Sequence, residues 1–324
     1  MVRIINSRLL ILALIFTVAA GADGQKTEKK GDALTPVLWE SVTIPDQDLF
    51  NGPGGSSMKP DLSNITFVEE DTGGHSKKYK VKDGSGKTWV VKIGDEAQSE
   101  TAAVRLLAAI GYKTEINYLI PTVEIPGKGV ITNARFEARP ENVKRGDNWS
   151  WKDNPFKGTP QFQGLKIMMS FFNNWDMKEA NNVIFKTEGQ QQYVISDLGV
   201  SFGKTGSNGL MLFWRLGRSR NEPEEYAESD FIKGRDSGKL QFAFNGKNDG
   251  SFGDITIKDG RWLADLLIQL TDKQISDAFK AANYSDPDIS LLVQSVKSRI
   301  RALDLATTTP NVRPKATDLP TDTR

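Results

Sequence analysis

Asp176, Lys178, Asn181 and Asp197 are the residues of this chain whose types and spacing could do chemistry together. In Asp176-Met177-Lys178-Glu179-Ala180-Asn181 a carboxylate is followed two residues on by an ammonium and five residues on by an amide. Asp197-Leu198-Gly199 supplies a second carboxylate 21 residues beyond the first. A held carboxylate can orient a hydroxyl and accept its proton, and a carboxylate with an amide oxygen offers hard ligands to a divalent cation. Phosphoryl transfer needs these parts, because its loose transition state leaves the protein mainly positioning and charge neutralisation. Asp176 therefore reads as the base, Lys178 as a screen for the moving charge, and Asn181 and Asp197 as metal ligands.

Such groups need elements to deliver them. From Gln161 to Asn174 apolar residues recur at 162, 165, 168, 169 and 172, a helical period that predicts a buried helix leading to Asp176. Val183-Ile184-Phe185 and Tyr193-Val194-Ile195 predict a hairpin between the two acidic loops. Upstream, Trp89-Val90-Val91-Lys92-Ile93 is a strand pattern with a lysine among apolar residues. An amphipathic helix from Ser99 to Ala109 follows, ended by Gly111, and carries Glu100 eight residues after Lys92. Glu96 competes with Glu100 as the partner of that lysine. Between Ile65-Thr66-Phe67-Val68 and Tyr79-Lys80-Val81 lies a glycine turn, Asp71 to Lys78. There the backbone at Gly73 and Gly74 can approach phosphate closely while Ser76, Lys77 and Lys78 add donors and charge. Gly52-Pro53-Gly54-Gly55 is a rival glycine cluster.

In order and spacing these segments resemble the protein-kinase-like superfamily, whose loops read Asp-x-Lys-x-x-Asn and Asp-Phe-Gly; Leu198 stands in place of the phenylalanine. The resemblance implies an α+β, two-lobed fold, a small antiparallel β lobe followed by a mainly helical lobe. It implies binding of ATP and Mg2+, with Gly73, Gly74, Ser76 and Lys77 over the phosphates and Lys92 paired with Glu100. Asp176 and Lys178 would be catalytic, and Asn181 and Asp197 would hold the metal. Asn174-Trp175 stands where most protein kinases have His-Arg, so the arginine that reads a phosphorylated loop is missing, and Asn221-Glu222-Pro223-Glu224 only faintly echoes Ala-Pro-Glu. The chain thus resembles the divergent, compact members: atypical, lipid-kinase-like or bacterial toxin-kinase-like. The implied activity is transfer of the γ-phosphate of ATP to a hydroxyl of a protein or small molecule. Adenylyl transfer and an inactive pseudokinase that serves as a binding protein are the alternatives, and the presence of Lys92, Asp176 and Asp197 argues against the second.

Composition bounds the remainder. With 324 residues, 38% hydrophobic and 26% charged, the chain can hold two sizeable cores. A net charge of +1 gives no electrostatic case for nucleic acid. With no cysteine and one histidine, thiolate nucleophiles, cysteine zinc sites and multi-histidine metal sites are excluded, and His75 reads as a loop residue. Arg3 and Arg8 precede an apolar run from Leu9 to Ala20 and a small-x-small site at Ala20-Gly21-Ala22. That pattern predicts a cleaved signal over 1–22 and a secreted or periplasmic protein with no integral membrane segment in the mature chain. The expected organisation is a linker over 23–36, an N-terminal β-rich lobe with one helix over 37–138, a C-terminal helical lobe over 139–305 and a disordered tail over 306–324. Phe202, Met211, Leu212, Phe213 and Trp214, between Ser201 and Ser219, could form a substrate-facing loop or core packing, and core packing is the reading favoured for the aromatics.

Overall fold

Alternating side chains build the first sheet. In Lys78-Tyr79-Lys80-Val81-Lys82 every second residue is apolar, so a strand buries Tyr79 and Val81 on one face and turns lysines to the other. The computed structural model describes residues 34–71, 73, 77–206 and 217–308. The expected signal peptide, the tail beyond Thr308, Gly74, His75 and Ser76 of the glycine turn, and Met211 to Trp214 lie outside the described residues.

In chain order the elements are β1 (Thr35–Val37), β2 (Thr66–Asp71), β3 (Lys78–Lys82), β4 (Thr88–Lys92), α1 (Glu96–Ala109), β5 (Asn117–Ile125), β6 (Gly129–Ala138) and β7 (Lys144–Arg145). There follow α2 (Pro160–Phe171), β8 (Asn182–Thr187), β9 (Gln190–Ile195), α3 (Pro223–Glu228), β10 (Ile232–Asp236), β11 (Lys239–Phe242), α4 (Ile257–Leu267), α5 (Asp272–Ala281) and α6 (Asp286–Thr308). The first sheet is antiparallel, in the order β2-β3-β4-β6-β5. One face buries Tyr79, Val81, Trp89, Val91, Tyr118 and Phe136 in a core of its own. A mainly helical region with a second, larger core follows, giving the expected α+β architecture. It also holds a four-stranded sheet, β1-β9-β8-β7, and the β10-β11 hairpin. Among the described residues no helix is long and apolar enough to cross a membrane.

Local chemistry sets the helix ends. The Thr159 hydroxyl accepts from the Phe162 amide and Pro160 occupies the first turn of α2. Thr256 with Asp259, and Thr271 with Gln274, form capping boxes that start α4 and α5.

Three expected boundaries are corrected. The linker ends earlier than residue 36, because Thr35 and Pro36 pair in parallel with Gln190 and Gln191 and occupy the open edge of β9. The stretch that follows, assigned above to the first lobe, packs Leu38, Ile44 and Leu49 into the helical core, since its backbone finds partners there. Gln274 Nε2 donates to the carbonyls of Ile44, Pro45 and Gln47. Finally, α6 continues past 305 to Thr308, with the Thr307 and Thr308 hydroxyls bonded back to the Asp304 carbonyl.

Arg299 of α6, 5% exposed, ties that helix to the end of α2. It donates to the carbonyls of Ser170, Phe171, Tyr226 and Ser229 and to the side-chain oxygens of Asn173 and Ser229. Replacing it by methionine keeps the volume and orphans several buried acceptors. Arg299→Met is therefore expected to lower stability by about 3 kcal/mol. Urea unfolding measures this, and a loss under about 1 kcal/mol would mean that the guanidinium does not hold the two helices together.

Candidate active site

The pleat of the first sheet puts Lys78, Lys92 and Arg135 side by side on three adjacent strands, on the face away from the β core. Three neighbouring cations need anions, and α1 and the loop after β9 supply them. Lys92 Nζ lies 2.9 Å from Glu100 Oε2, 2.9 Å from Glu96 Oε2 and 3.3 Å from Asp197 Oδ1, with only 6% of the lysine side chain exposed. Burial works against the ammonium, but Glu100, Asp197 and Glu96 outweigh it and hold its pKa above the ordinary lysine range. The competition between the two glutamates resolves as a shared role: both reach Lys92, and Glu96 also pairs with Arg220 at 2.5 Å.

Behind this cluster Arg135, 1% exposed, joins Glu100 (3.2 Å), Glu115 (3.0 Å) and Glu137 (3.2 Å). Burial, then the neighbouring Glu137, pushes Glu115 up to about 8. Burial opposes Glu137 as well, yet Arg139 and Arg135 outweigh it and draw that carboxyl down to about 2. Arg145 reaches Glu115 at 3.1 Å, and Arg139 pairs with Glu137.

The loop carrying Asp176 starts where α2 stops. Asn173 takes a left-handed φ of 57°, which asparagine tolerates, and its side-chain amide donates to the Gly203 carbonyl. Asp176 then sits between two lysines, with Oδ2 2.7 Å from Lys178 Nζ and Oδ1 2.6 Å from Lys247 Nζ. Asn181 Nδ2 donates to Asp176 Oδ2 at 3.2 Å and to the Asp176 carbonyl at 2.8 Å. Burial would raise the Asp176 pKa, but the hydrogen bonds from Lys178 and Lys247 outweigh it and hold the carboxyl below the usual range. It is thus ionised at neutral pH, as a proton acceptor must be.

Asp197 follows the β8-β9 hairpin. Its Oδ1 accepts from the Gly199 amide at 3.1 Å and faces Lys92, which leaves Oδ2 open among the described residues. Asn181 spends its amide nitrogen on Asp176, which leaves its Oδ1 as an acceptor. One carboxylate and one amide oxygen suit a magnesium-type cation that keeps waters and phosphate oxygens as its other ligands. No group of three or more His, Cys, Asp or Glu side chains among the described residues forms an all-protein cage. Leu198 is fully buried, and Gly199 is required by packing: a Cβ there would come within 2.6 Å of Glu96 Cβ. Ser99 Oγ donates to the Gly199 carbonyl at 2.6 Å, so α1 seats directly on the loop after β9.

A cleft of about 700 Å³ opens between the charged sheet face and these loops, lined by Lys78, Lys80, Val90, Lys92 and Asp197 among others. Two expectations on the glycine turn are revised. Lys77 does not line the cleft; its ammonium lies 5.3 Å from the Tyr79 ring centroid, because alternation along the strand gives the cleft to Lys78 and Lys80. Gly73 is bonded within its own turn, its amide to Asp71 and its carbonyl to Lys78. Gly74 and Ser76 lie outside the described residues. The sequence reading missed Lys247, which is 71 residues from Asp176 and set by its amide bond to the Trp175 carbonyl. Arg135, Arg139 and Arg145 were also missed, although alternation along β6 could have placed the first two on the face of Glu137.

No family profile matches the chain, and no curated protein matches it. Solved structures similar to it include a Helicobacter pylori proinflammatory kinase, CtkA, at 12% identity and a TM-score of 0.48, covering 77% of this chain and 97% of that one. A Golgi casein kinase is similar at 10% identity and a TM-score of 0.41, covering 83% of each chain. The same enzyme with Mn and ADP bound gives 11% identity and a TM-score of 0.40, covering 77% of this chain and 73% of that one.

Two substitutions test the site. Because Asp176 titrates below its ordinary 3.8, its ion pairs stabilise the fold at neutral pH, and that contribution is lost as pH falls through the depressed value. Lys247→Ala should raise the Asp176 pKa and shrink this loss, as read by carboxyl carbon NMR titration; an unmoved titration would mean that Lys247 does not act on Asp176. Gly199→Ala should cost roughly 1–3 kcal/mol by driving α1 off the loop, measured by thermal unfolding.

Proposed function

We propose that this protein is a kinase-like phosphotransferase that moves the terminal phosphate of a magnesium-bound nucleoside triphosphate to a hydroxyl. The observation that carries the reading is the Lys92 ammonium, held at 2.9 Å from Glu100 and 3.3 Å from Asp197 in the wall of the cleft, with Asn181 and Asp176 on the loop that gives Ala180 to the same cleft. A cation paired on one side and facing a cleft on the other is placed to meet phosphate oxygens. Lys78 and Lys80 add charge from the same sheet face.

In this reading Asp197 and Asn181 hold the divalent cation, which when bound neutralises charge on the phosphates. Lys92 orients the phosphate chain, and Glu100, locked from behind by Arg135, keeps that ammonium in place. Asp176 accepts the proton of the attacking hydroxyl. Lys178 and Lys247 keep its carboxylate ionised and present positive charge beside the transferred group. Transfer of adenylate would use the same binding groups with the nucleotide reversed.

Incubation with magnesium and nucleotide labelled separately on the α and γ phosphates separates these chemistries. The γ label is expected to transfer, and Asp197→Ala to reduce transfer by at least about 10²–10³-fold while the protein stays folded. Transfer of the α label would replace phosphoryl by adenylyl chemistry. No thermal stabilisation by millimolar magnesium-nucleotide would sink the nucleotide reading altogether.

A further inference from the structure

We infer that a cavity beside the last turns of α1, separate from the cleft, binds a small organic carboxylate on Arg105. Three arginines are buried among the described residues, Arg105, Arg135 and Arg299. Arg135 meets three carboxylates, and Arg299 donates to six oxygen acceptors. Arg105, 2% exposed, has neither kind of support. Its hydrogen bonds go to one residue, from Nη1 to Asn117 Oδ1 at 3.3 Å and from Nη2 to the Asn117 carbonyl at 2.6 Å, and its Nε is buried without a partner. Burial, with Arg135 adding to it, draws the guanidinium down to about 10 against Tyr118 and Asp48. It is still a cation at neutral pH, and no carboxylate pairs with it among the described residues.

This arginine lines a cavity of about 340 Å³ that shares no lining residue with the cleft. The Thr114 hydroxyl, on the same wall, is likewise buried without a partner. Both acids of the wall are committed elsewhere. Glu40 accepts from Lys113 and Gln190, and Asp48 accepts from the amides of Phe50 and Asn51 and from the Asn51 side chain. The chain over the cavity is shaped around the cation. At Gly52, where φ is 68°, a Cβ would collide with the Arg105 guanidinium. At Gly54 one would collide with Tyr118, whose ring centroid lies 5.6 Å from Arg105 Cζ. Gly52 of the second glycine cluster thus lines this cavity and not the cleft.

A guanidinium presents two forks of N–H donors, one at its end and one along its Nε side. Asn117 occupies the end fork, which leaves Nε and the second Nη2 hydrogen to meet a planar oxyanion with two parallel bonds. The Thr114 hydroxyl is a further donor on that wall. One uncompensated cation matches one carboxylate. A phosphomonoester, at a charge of about −1.5 to −2, would bring surplus negative charge beside Glu40 and Asp48. Val42, Leu49, Pro53, Ala108 and Ile116 make the rest of the wall largely apolar, which assigns the carboxylate a short hydrocarbon body.

Titration of the full chain with linear monocarboxylates from acetate to hexanoate tests this, read at the Arg105 Nε–H resonance by nitrogen-proton NMR. Hexanoate at millimolar concentration is expected to shift that resonance to saturation, with affinity rising about two- to fourfold per added methylene. Hexanol and inorganic phosphate are expected to leave it in place. Arg105→Met keeps the volume and removes the charge; it is expected to abolish the thermal stabilisation given by hexanoate and, without ligand, to unfold no earlier than the parent. Stabilisation by hexanoate that survives in Arg105→Met would overturn the assignment. Should that variant not fold, the titration of the parent decides alone. A resonance that hexanoate does not move would overturn the carboxylate site and leave Arg105 a structural tie, and one that phosphate moves as far as hexanoate would overturn the ligand class.

Discussion

A lysine ammonium taken out of water is the constraint on which the rest of this architecture depends. An unpaired buried charge costs several kcal/mol, so Lys92 at the end of β4 is tolerable only with carboxylates beside it. The chain brings them from two places, Glu96 and Glu100 on α1 and Asp197 after β9. That requirement presses α1 against the sheet and draws the β9 loop under both. Gly199 and Ser99 are consequences, the first giving up a side chain so that α1 can approach and the second bonding the loop it approaches. Arg135 follows from the same logic one layer deeper, since Glu100 needs a second cation once it is fully buried.

The loop bearing Asp176 is secured by different means. Neither helix nor sheet hydrogen bonds hold it. Asn173 turns the chain, Arg299 gathers the carbonyls at the end of α2, and Lys247 and Asn248 bond to the backbone of Trp175 and Met177. The geometry of the carboxylate thus draws on residues 70 or more positions away in sequence as well as on its neighbours Asn173, Lys178 and Asn181. Its two lysine partners come from opposite sides, so the negative charge is balanced before any ligand arrives.

This division explains what could be read from the sequence. The strands around Lys92, helix α2 and the hairpin between the acidic loops follow from period-2 and period-3.6 patterns, which are local and therefore visible. Asp176, Asn181 and Asp197 were visible because their spacing is fixed within one short stretch. Lys247 and Arg299 were not, because a lone cation in a distant loop or helix has no periodic signature. Lys77 was misassigned in the turn because the phase of a strand's pleat decides which lysine reaches the cleft, and Tyr79, one residue into β3, sets that phase. The strap before β2 was placed with the first lobe because its scattered Leu38, Ile44 and Leu49 show no period; it is tied to the helical region by Gln274, whose amide donates to the strap's own Ile44, Pro45 and Gln47 carbonyls.

That strap has a mechanical meaning. Glu40 and Lys113 amides exchange bonds with the Gly111 and Leu38 carbonyls, and Trp39 Nε1 bonds the Ile110 carbonyl, so the strap grips the chain where α1 ends. Its contacts to β9 and α5 belong to the helical region, while farther along the Gly55 carbonyl accepts from the Tyr118 hydroxyl of β5. The far end of α1 is moored to the lower half of the molecule while its near end carries Glu96 and Glu100. A swing of α1 that parted Lys92 from its glutamates would have to tear this mooring as well. Helix α1 is thus anchored at both ends, by the strap where it stops and by the Lys92 pairs and the Gly199 carbonyl where it starts.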